Sequence, residues 1–190
     1  MTAIRTAVLV FALIAAVSSG PAPAHMTPPV VLSSDRDAVS RLLSGATRYF
    51  VREVRLSGAD TDAVRQTSGW KPEDDYYRFY VGRTADAAEV GAVAFLSEFT
   101  IHGPVRVAAA IGPDGKVKAA TVVEVTEESY TWVKPLMDGG YLRRFAGRDA
   151  RGALGAGQDV HGSMPRFYAD VIARLIARAA ALYDVAISRK

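Results

Sequence analysis

The chain has 190 residues, of which 49% are hydrophobic and 9% aromatic, with 23 basic against 20 acidic side chains and no cysteine. This composition is typical of a globular protein, and the length favours a single domain. The absence of cysteine excludes thiol nucleophiles, thiolate zinc sites, iron–sulfur clusters and redox disulfides. A net charge of +3 creates no strong field, so we expect no nucleic-acid binding.

The first 24 residues have the three regions of a secretory signal peptide. Arg5 precedes an apolar run from Ala7 to Val17, and Ala22-Pro23-Ala24 supplies the small residues of a cleavage site. The run is too short to span a bilayer, and no other apolar stretch of about 20 residues follows it. We predict an exported protein, periplasmic or otherwise extracytoplasmic, without a transmembrane segment after cleavage. Retention of the segment as a signal anchor is the alternative.

Residues 25–75 are predicted to form a linker followed by an N-terminal extension. Residues 25–32 are rich in proline and are interpreted as the linker. In the extension, residues 33–75, Ser34 to Asp37 has the pattern of a capping box and opens a helix that runs to about Leu43. Tyr49 to Leu56 is predicted as a strand, and Asp60 to Thr67 as one or two helical turns.

Four strands are predicted between residues 76 and 125. Tyr76 to Val81 and Glu89 to Phe95 are rich in aromatic and β-branched residues and flank a polar turn. Val105 to Ile111 and Val117 to Val125 have apolar residues at alternate positions, and Pro113-Asp114-Gly115 joins them as a turn. Together the four segments predict one antiparallel sheet.

The C-terminal part is predicted as a long mobile loop followed by the strongest helix. Glycines interrupt any periodicity between Phe145 and Pro165, whereas Pro165 to Ile187 is helical in pattern. The apolar stripe of this helix consists of Tyr168, Val171, Ile172, Leu175, Ile176, Ala179, Leu182 and Tyr183. The opposite face carries Arg166, Asp170, Arg174 and Arg178. The fold class is therefore α+β, with a long C-terminal helix.

The start of the last helix is a candidate anion site. Gly162-Ser163 followed by Pro165 indicates that Ser163 is the N-cap, and the free backbone N–H groups of a helix start attract phosphate or carboxylate. Nearby arginines add positive charge. A capped helix without a ligand, beside a solvated basic loop, is the alternative. The arginines are Arg143, Arg144, Arg148 and Arg151.

A second candidate lies after the return strand. Glu124, Glu127 and Glu128 stand at its end, where they either line a site or are merely solvated. Tyr130 and Trp132 then follow in a segment of alternating polar and aromatic residues. An aromatic pair that leaves a sheet can flank a planar ligand by stacking, or it can fill the core.

No group of residues predicts a nucleophilic or metal centre. Asp159, His161 and Ser163 lie within one five-residue segment, and neighbours in sequence rarely converge into a triad. His25 would begin the cleaved chain and could bind copper through its amine and imidazole, but no motif supplies further ligands. We therefore predict no catalytic residues and no metal site.

The order of the motifs resembles one known family. Gly103 to Val107, Ile111 to Val117, Thr126 to Tyr130 and Tyr141 to Arg148 are followed by a glycine-bearing turn into the last helix. This order is similar to that of the FMN-binding domain family, which includes periplasmic flavin-carrying subunits of sodium-translocating NADH:quinone reductase and of a related electron-transport complex. The resemblance covers most of residues 33–183. It implies a curved, mainly antiparallel sheet packed against helices, with residues 76–187 as the FMN-binding-like domain.

The family's most specific motif is altered in this chain. Members carry a Ser-Gly-Ala-Thr sequence before the last helix, and its threonine is esterified to the FMN phosphate in the covalent members. Here that place reads His161-Gly162-Ser163-Met164, and Met164 has no hydroxyl group with which to form the ester. The literal Ser44-Gly45-Ala46-Thr47 follows the first helix instead. Glu128 matches the family's glutamate, whereas Thr131 replaces a glycine usually found shortly after it.

The resemblance implies noncovalent FMN, with the phosphate at Gly162, Ser163 and Met164 and the ring near Glu128 to Trp132. The residues of the ring end are Glu128, Ser129, Tyr130 and Trp132. The implied function is electron transfer to or from a membrane or periplasmic partner, which requires no acid–base pair of the protein's own. A flavin-free accessory or protein-interaction module of the same fold is the alternative, because Met164 and Thr131 depart from the family's pattern.

Overall fold

The computed structural model describes residues 27–149, 155 and 157–188. The predicted signal peptide, His25, Arg151 and part of the predicted glycine-rich loop lie outside the described residues. Within them the chain forms six strands and four α-helices, together with a 3-10 helix at Tyr141–Phe145 and a π-helix at Asp184–Ser188. In chain order the strands and α-helices are β1 (Pro29–Val31), α1 (Asp35–Leu42), β2 (Arg48–Arg55), α2 (Gly58–Ser68), β3 (Tyr76–Arg83), β4 (Glu89–Thr100), β5 (Gly103–Ile111), β6 (Val117–Thr126), α3 (Glu127–Asp138) and α4 (Ser163–Tyr183).

The six strands form one antiparallel sheet in the order β1-β6-β5-β4-β3-β2. This architecture confirms the predicted α+β class with a single sheet and a long last helix. Part of the predicted linker contributes an edge strand, because Pro29 to Val31 pairs with Thr126 to Glu124 of β6. The predicted strands and the first and last helices agree with the observed elements to within a few residues at most ends, although β4 extends to Thr100.

Helices cover both faces of the sheet. The apolar stripe of α4 is buried in the main core against β4, β5 and β6, together with α2 and α3. On the other face α1 packs on β5 and β6, and Leu43 closes a smaller core with Val93, Ala108 and Val123. The alternation along β5 explains this division, because Val107 and Ala109 point to the main core while Ala108 points to the smaller one. The sheet is therefore the middle of three layers.

Two local signals set the ends of α2, which is longer than predicted. Ser57 caps the helix and forms a capping box with Asp60, so the helix begins at Gly58. Gly69 ends it in the left-handed conformation, with φ of 71°. The prediction began this helix at Asp60, three residues after the Ser57 that caps it.

β3 and β4 separate along part of their length. Their pairing runs from Arg83 and Glu89 to Phe79 and Ala94 and stops there. Beyond that point residues 76–78 pair with β2, and residues 95–100 pair with β5. A cleft therefore opens within the sheet between the two strands. The sequence pattern does not predict this separation of β3 and β4.

Among the helices in the described ranges, none combines the length and the apolar character needed to cross a membrane.

Candidate functional site

The residues predicted for a flavin ring lie on a helix rather than on an extended segment. α3 begins directly after β6, because the Thr126 side chain accepts a hydrogen bond from the backbone N–H of Ser129 and so caps the helix. Glu127 and Glu128 occupy its first turn, where negative charge is favoured by the helix dipole. No secondary structure was predicted for residues 127–132, and Glu124 lies in β6.

An aromatic cluster, defined as His102, Trp132 and Tyr168, brings three parts of the chain together. The Trp132 and Tyr168 rings stack with their centroids 5.7 Å apart and their planes 10° from parallel. The His102 ring, from the turn between β4 and β5, lies 5.0 Å from Trp132 and 6.4 Å from Tyr168. Trp132 comes from α3 and Tyr168 from α4, so the cluster joins a hairpin and two helices.

A chain of hydrogen bonds lies beneath the cluster. The Tyr168 hydroxyl is 2.8 Å from Ser129 Oγ, which is 2.8 Å from Thr126 Oγ1. Thr126 Oγ1 in turn donates to the His102 carbonyl at 2.6 Å. Because Thr126 donates its only hydroxyl hydrogen to this carbonyl, it accepts a hydrogen bond from Ser129, and Ser129 in turn accepts one from Tyr168. Because Ser129 and Tyr168 are fully buried, this chain fixes the orientation of the aromatic cluster.

His102 has a polar atom directed toward a carboxylate. Its side chain is 17% exposed, and its Nδ1 lies 3.6 Å from Glu128 Oε1, too far for a hydrogen bond. Nδ1 itself is buried and has no hydrogen-bond partner among the described residues. This arrangement leaves an unsatisfied nitrogen beside Glu128 at the rim of the aromatic cluster.

The predicted phosphate end lies at the start of α4, but its cap differs from the prediction. Gly162 is the N-cap, with φ of 88° and no side-chain hydrogen bond, and Ser163 is the first helical residue. The prediction that Ser163 caps the helix is therefore wrong. Glycine suits this position because L side chains rarely adopt such a φ. The first-turn N–H groups of Ser163 and Met164 have no acceptor within the helix, and Pro165 has no N–H to offer.

Tyr168, on which Trp132 stacks, lies close to the predicted phosphate end along α4. Met164 and Tyr168 are four residues apart on α4, so about one turn of 5.4 Å separates them. The Met164 side chain packs partly buried against the main core. Tyr130 is also partly buried against that core and takes no part in the ring contacts of the aromatic cluster.

Sequence reasoning missed the roles of His102 and Tyr168. Tyr168 was assigned only to the apolar stripe of the last helix, although its position four residues after Met164 places it on the same face. No motif marked His102, because only the turn between β4 and β5 carries it to α3. The sequence did contain one indication: a tyrosine on the buried stripe of a helix needs a hydrogen-bond partner for its hydroxyl, and Tyr168 is such a residue.

Part of the predicted arginine cluster is already engaged. Arg144 forms an ion pair with Asp159, with Nη1 donating to Oδ1 at 2.9 Å, and its guanidinium lies over the Tyr141 ring. The hydrogen bonds from Arg144 hold the pKa of Asp159 below its ordinary value of 3.8. Asp159 is thus paired with Arg144.

No three His, Asp or Glu side chains within the described part of the chain are grouped so as to hold a metal ion.

No protein-family model, no curated protein and no solved structure matches this chain.

Proposed function

We propose that this protein binds FMN noncovalently and passes electrons to or from a membrane or periplasmic partner. One observation carries the proposal: Trp132, predicted for the ring, stacks on Tyr168, which lies one turn beyond the uncapped first turn predicted for the phosphate. The segment around Trp132 therefore packs against the first part of α4, about 30 residues later in sequence, and the proposed ring and phosphate ends come from these two segments. Export is part of the proposal and depends on the sequence of residues 1–24.

The first turn of α4 suits the phosphate. Its positive dipole end and the N–H groups of Ser163 and Met164 favour a bound anion, and Arg166 adds a cation within the same turn. Among the described residues, no side chain caps these groups. Because Met164 cannot form an ester, the phosphate would be held by these groups alone.

The aromatic cluster suits the ring. Trp132, which is only partly buried and is held in place by stacking on the buried Tyr168, offers an aromatic face, and the unpartnered Nδ1 of His102 offers a hydrogen-bonding atom for a polar edge of the ring. The bound flavin would supply the electron-transfer chemistry. The carboxylate of Glu128 disfavours additional negative charge nearby and would therefore lower the reduction potential of the ring.

The test is visible absorption of the protein purified from an export-competent host, followed by titration with FMN. We expect flavin bands that stay with the protein in gel filtration and leave on acid precipitation. Trp132→Ala should weaken FMN binding by about tenfold because it removes the stacking platform. Trp70→Ala is the control, since Trp70 packs on Tyr77 away from the site, and FMN affinity should be unchanged.

The phosphate placement has its own matched pair of variants. Gly162→Asp should lower FMN affinity by about tenfold or more because it places a negative charge at the anion site. Gly162→Asn introduces the same bulk and the same backbone strain without the charge, so its affinity should be clearly higher than that of Gly162→Asp. Equal affinity of the two variants would refute the placement, and a colourless protein that takes up no added FMN would refute the proposal as a whole.

The flavin-free interaction module is favoured by a different observation. Phe99 and Ile101, on either side of Thr100 at the end of β4, are 83% and 85% exposed beside the turn that carries His102. Neighbouring exposed apolar side chains of this size are typical of contacts with another protein. Unchanged binding of a partner after Trp132→Ala, with no flavin present, would support this function instead.

A further inference from the structure

A recess separate from the proposed flavin site opens between β3 and β4. We call it the β3–β4 cleft and define it by residues 76–78 on one side and 95–99 on the other. It has a volume of about 900 Å³ and is lined further by Trp70, Glu73, Asp74, Arg106 and Arg178. That volume lies within the range of cavities that hold ligands.

Both sides of the cleft present strand edges, and the pairing pattern shows which backbone groups face it. On the β3 side, Leu56 N–H donates to the Asp75 carbonyl, which fixes the phase of the ladder between β2 and β3. Because bonded residues alternate along an antiparallel ladder, Tyr77 and Phe79 bond to β2. The N–H and C=O groups of Tyr76 and Arg78 consequently point the other way, toward β4.

On the β4 side the same alternation makes Tyr80 and Val93 a bonded pair. Phe95, Ser97 and Phe99 then direct their N–H and C=O groups into the cleft, while the residues between them bond to β5. The backbone of β4 is therefore an open edge inside the sheet, ready to accept one more strand.

The cleft offers aromatic surface on both faces of the sheet. Trp70 and Tyr77 meet edge to face on the side of the main core, with ring centroids 6.3 Å apart. Tyr80 and Phe95 do the same on the other side, at 5.6 Å. An extended segment sends alternate side chains to opposite faces, so it would place apolar groups against both pairs.

The charges at the cleft favour a basic partner. Each of its three arginines has an acidic partner: Arg106 pairs with Asp35 and Arg78 with Glu53, whereas Arg178 shares Glu98 with Arg174. Glu73 and Asp74, in contrast, form no ion pair with any described residue. Burial, followed by the charge of Asp74, raises the pKa of Tyr77 to about 12, so this phenol is a neutral hydrogen-bond donor at neutral pH. The residues that line the cleft include four carboxylates, Asp35, Glu73, Asp74 and Glu98, against three arginines, so their net charge is negative.

We propose that the β3–β4 cleft binds an extended peptide segment of another protein, which adds to β4 as a strand. The segment would carry apolar or aromatic side chains at alternate positions and a lysine or arginine near Glu73 and Asp74. Main-chain hydrogen bonds to Phe95, Ser97 and Phe99 would supply affinity, and the two aromatic pairs would supply specificity. The site is independent of the flavin site.

The test uses the folded protein and a display library of random heptapeptides. We expect enrichment of peptides with apolar residues at alternate positions and a basic residue, and measurable binding of a labelled selected peptide by fluorescence polarisation. Ser97→Pro removes one N–H that faces the cleft and leaves the ladder with β5 intact, because proline is tolerated at an unpaired strand edge. This variant should bind the peptide at least about tenfold more weakly.

Two controls separate strand addition from loss of folding. Ser97→Ala keeps the N–H and should bind as the wild type does, within about twofold. Methylation of alternate backbone nitrogens of the selected peptide should abolish its binding to the unchanged protein, and Glu73→Lys with Asp74→Lys should weaken it. The methylated peptide decides the question even where Ser97→Pro does not fold.

Three outcomes overturn the proposal. The first is the absence of enrichment above background. The second is equal binding of the selected peptide by the wild type and by a folded Ser97→Pro variant. The third is full binding of the peptide after its alternate backbone nitrogens have been methylated. A concentration-dependent dimer that Ser97→Pro abolishes, with no peptide enriched, would instead assign the cleft to a second copy of this chain.

Discussion

The Tyr168 hydroxyl is the donor that begins the buried chain through Ser129 and Thr126. Tyr168→Phe keeps the ring and its stacking but leaves Ser129 Oγ with one partner fewer in a site that water does not reach. We expect a loss of about 1 to 2 kcal/mol in the free energy of unfolding, measured by urea denaturation. Tyr49→Phe is the control, because the hydroxyl of Tyr49 belongs to a half-exposed side chain, and its cost should stay below about 0.5 kcal/mol.

If the two tyrosine variants lose equal stability, the hydrogen-bond chain does not hold the aromatic cluster in place.

At the scale of single residues, the sequence identified Glu128, Ser129 and Trp132 only through the order of motifs. It could not show that Ser129 is buried, because a serine is ordinarily exposed and its partners here, Thr126 and Tyr168, come from other elements.

At the scale of elements, two serines near helix starts have different roles. Ser57 accepts a hydrogen bond from the N–H of Asp60 as the N-cap of α2, whereas Ser163 follows the N-cap Gly162 and makes no capping bond. Ser57→Ala should therefore cost about 1 kcal/mol of stability. Ser163→Ala should change the stability by less than about 0.5 kcal/mol.

Thermal or urea denaturation of both variants, with circular dichroism as the readout, distinguishes these roles. A cost for Ser163→Ala as large as that for Ser57→Ala would show that Ser163 caps α4 in solution. Neither Ser57 nor Ser163 is among the buried residues of its helix, so neither substitution removes a core side chain.

Elements with a strong period were predicted well, and elements defined by their ends were not. The alternation of β5 and β6 and the stripe of α4 directly reflect burial on one face, which the sequence records. α3 was not predicted, because polar and aromatic residues alternate over Ser129 to Trp132. Its buried positions, Ser129, Val133 and Leu136, follow a helical spacing that includes a polar residue and so hides the stripe.

At the scale of the whole molecule, buried tyrosines make stability depend on alkaline pH. Burial raises the pKa of Tyr77 to about 12 and that of Tyr141 and Tyr183 well above the ordinary value of 10. In the unfolded chain these phenols lose their protons near pH 10, while the folded protein keeps them. The stability they contribute is complete below about pH 10 and is lost as the pH rises toward the folded values.

Urea midpoints measured between pH 8 and 11 should therefore fall above about pH 10. Tyr183→Phe should make that decline shallower, because one phenol no longer titrates on unfolding, while Tyr49→Phe should leave the slope unchanged. A midpoint that stays constant through this range would contradict the burial of the three phenols.

The layered α+β architecture follows from the sequence, whereas the arrangement of neighbours across the sheet does not. A period of two specifies which face of a strand is buried but not which strand lies beside it or how far the pairing extends. The residues at the divergence of β3 and β4, such as Tyr77 and Leu96, have the same apolar character as residues in continuous sheet. The aromatic cluster is equally hidden from sequence analysis, because the pairing register of β4 and β5 is what places His102 beside Trp132.

The divergence of β3 and β4 also sorts the backbone amides into two populations. Along β4 the N–H groups of Leu96 and Glu98 are bonded to β5, while those of Ser97 and Phe99, one residue away, meet only the cleft. Exchange of amide hydrogen with solvent needs an opening event for the first group and none for the second. Protection along this strand therefore alternates residue by residue, and a strand seated in the cleft would slow the fast residues alone.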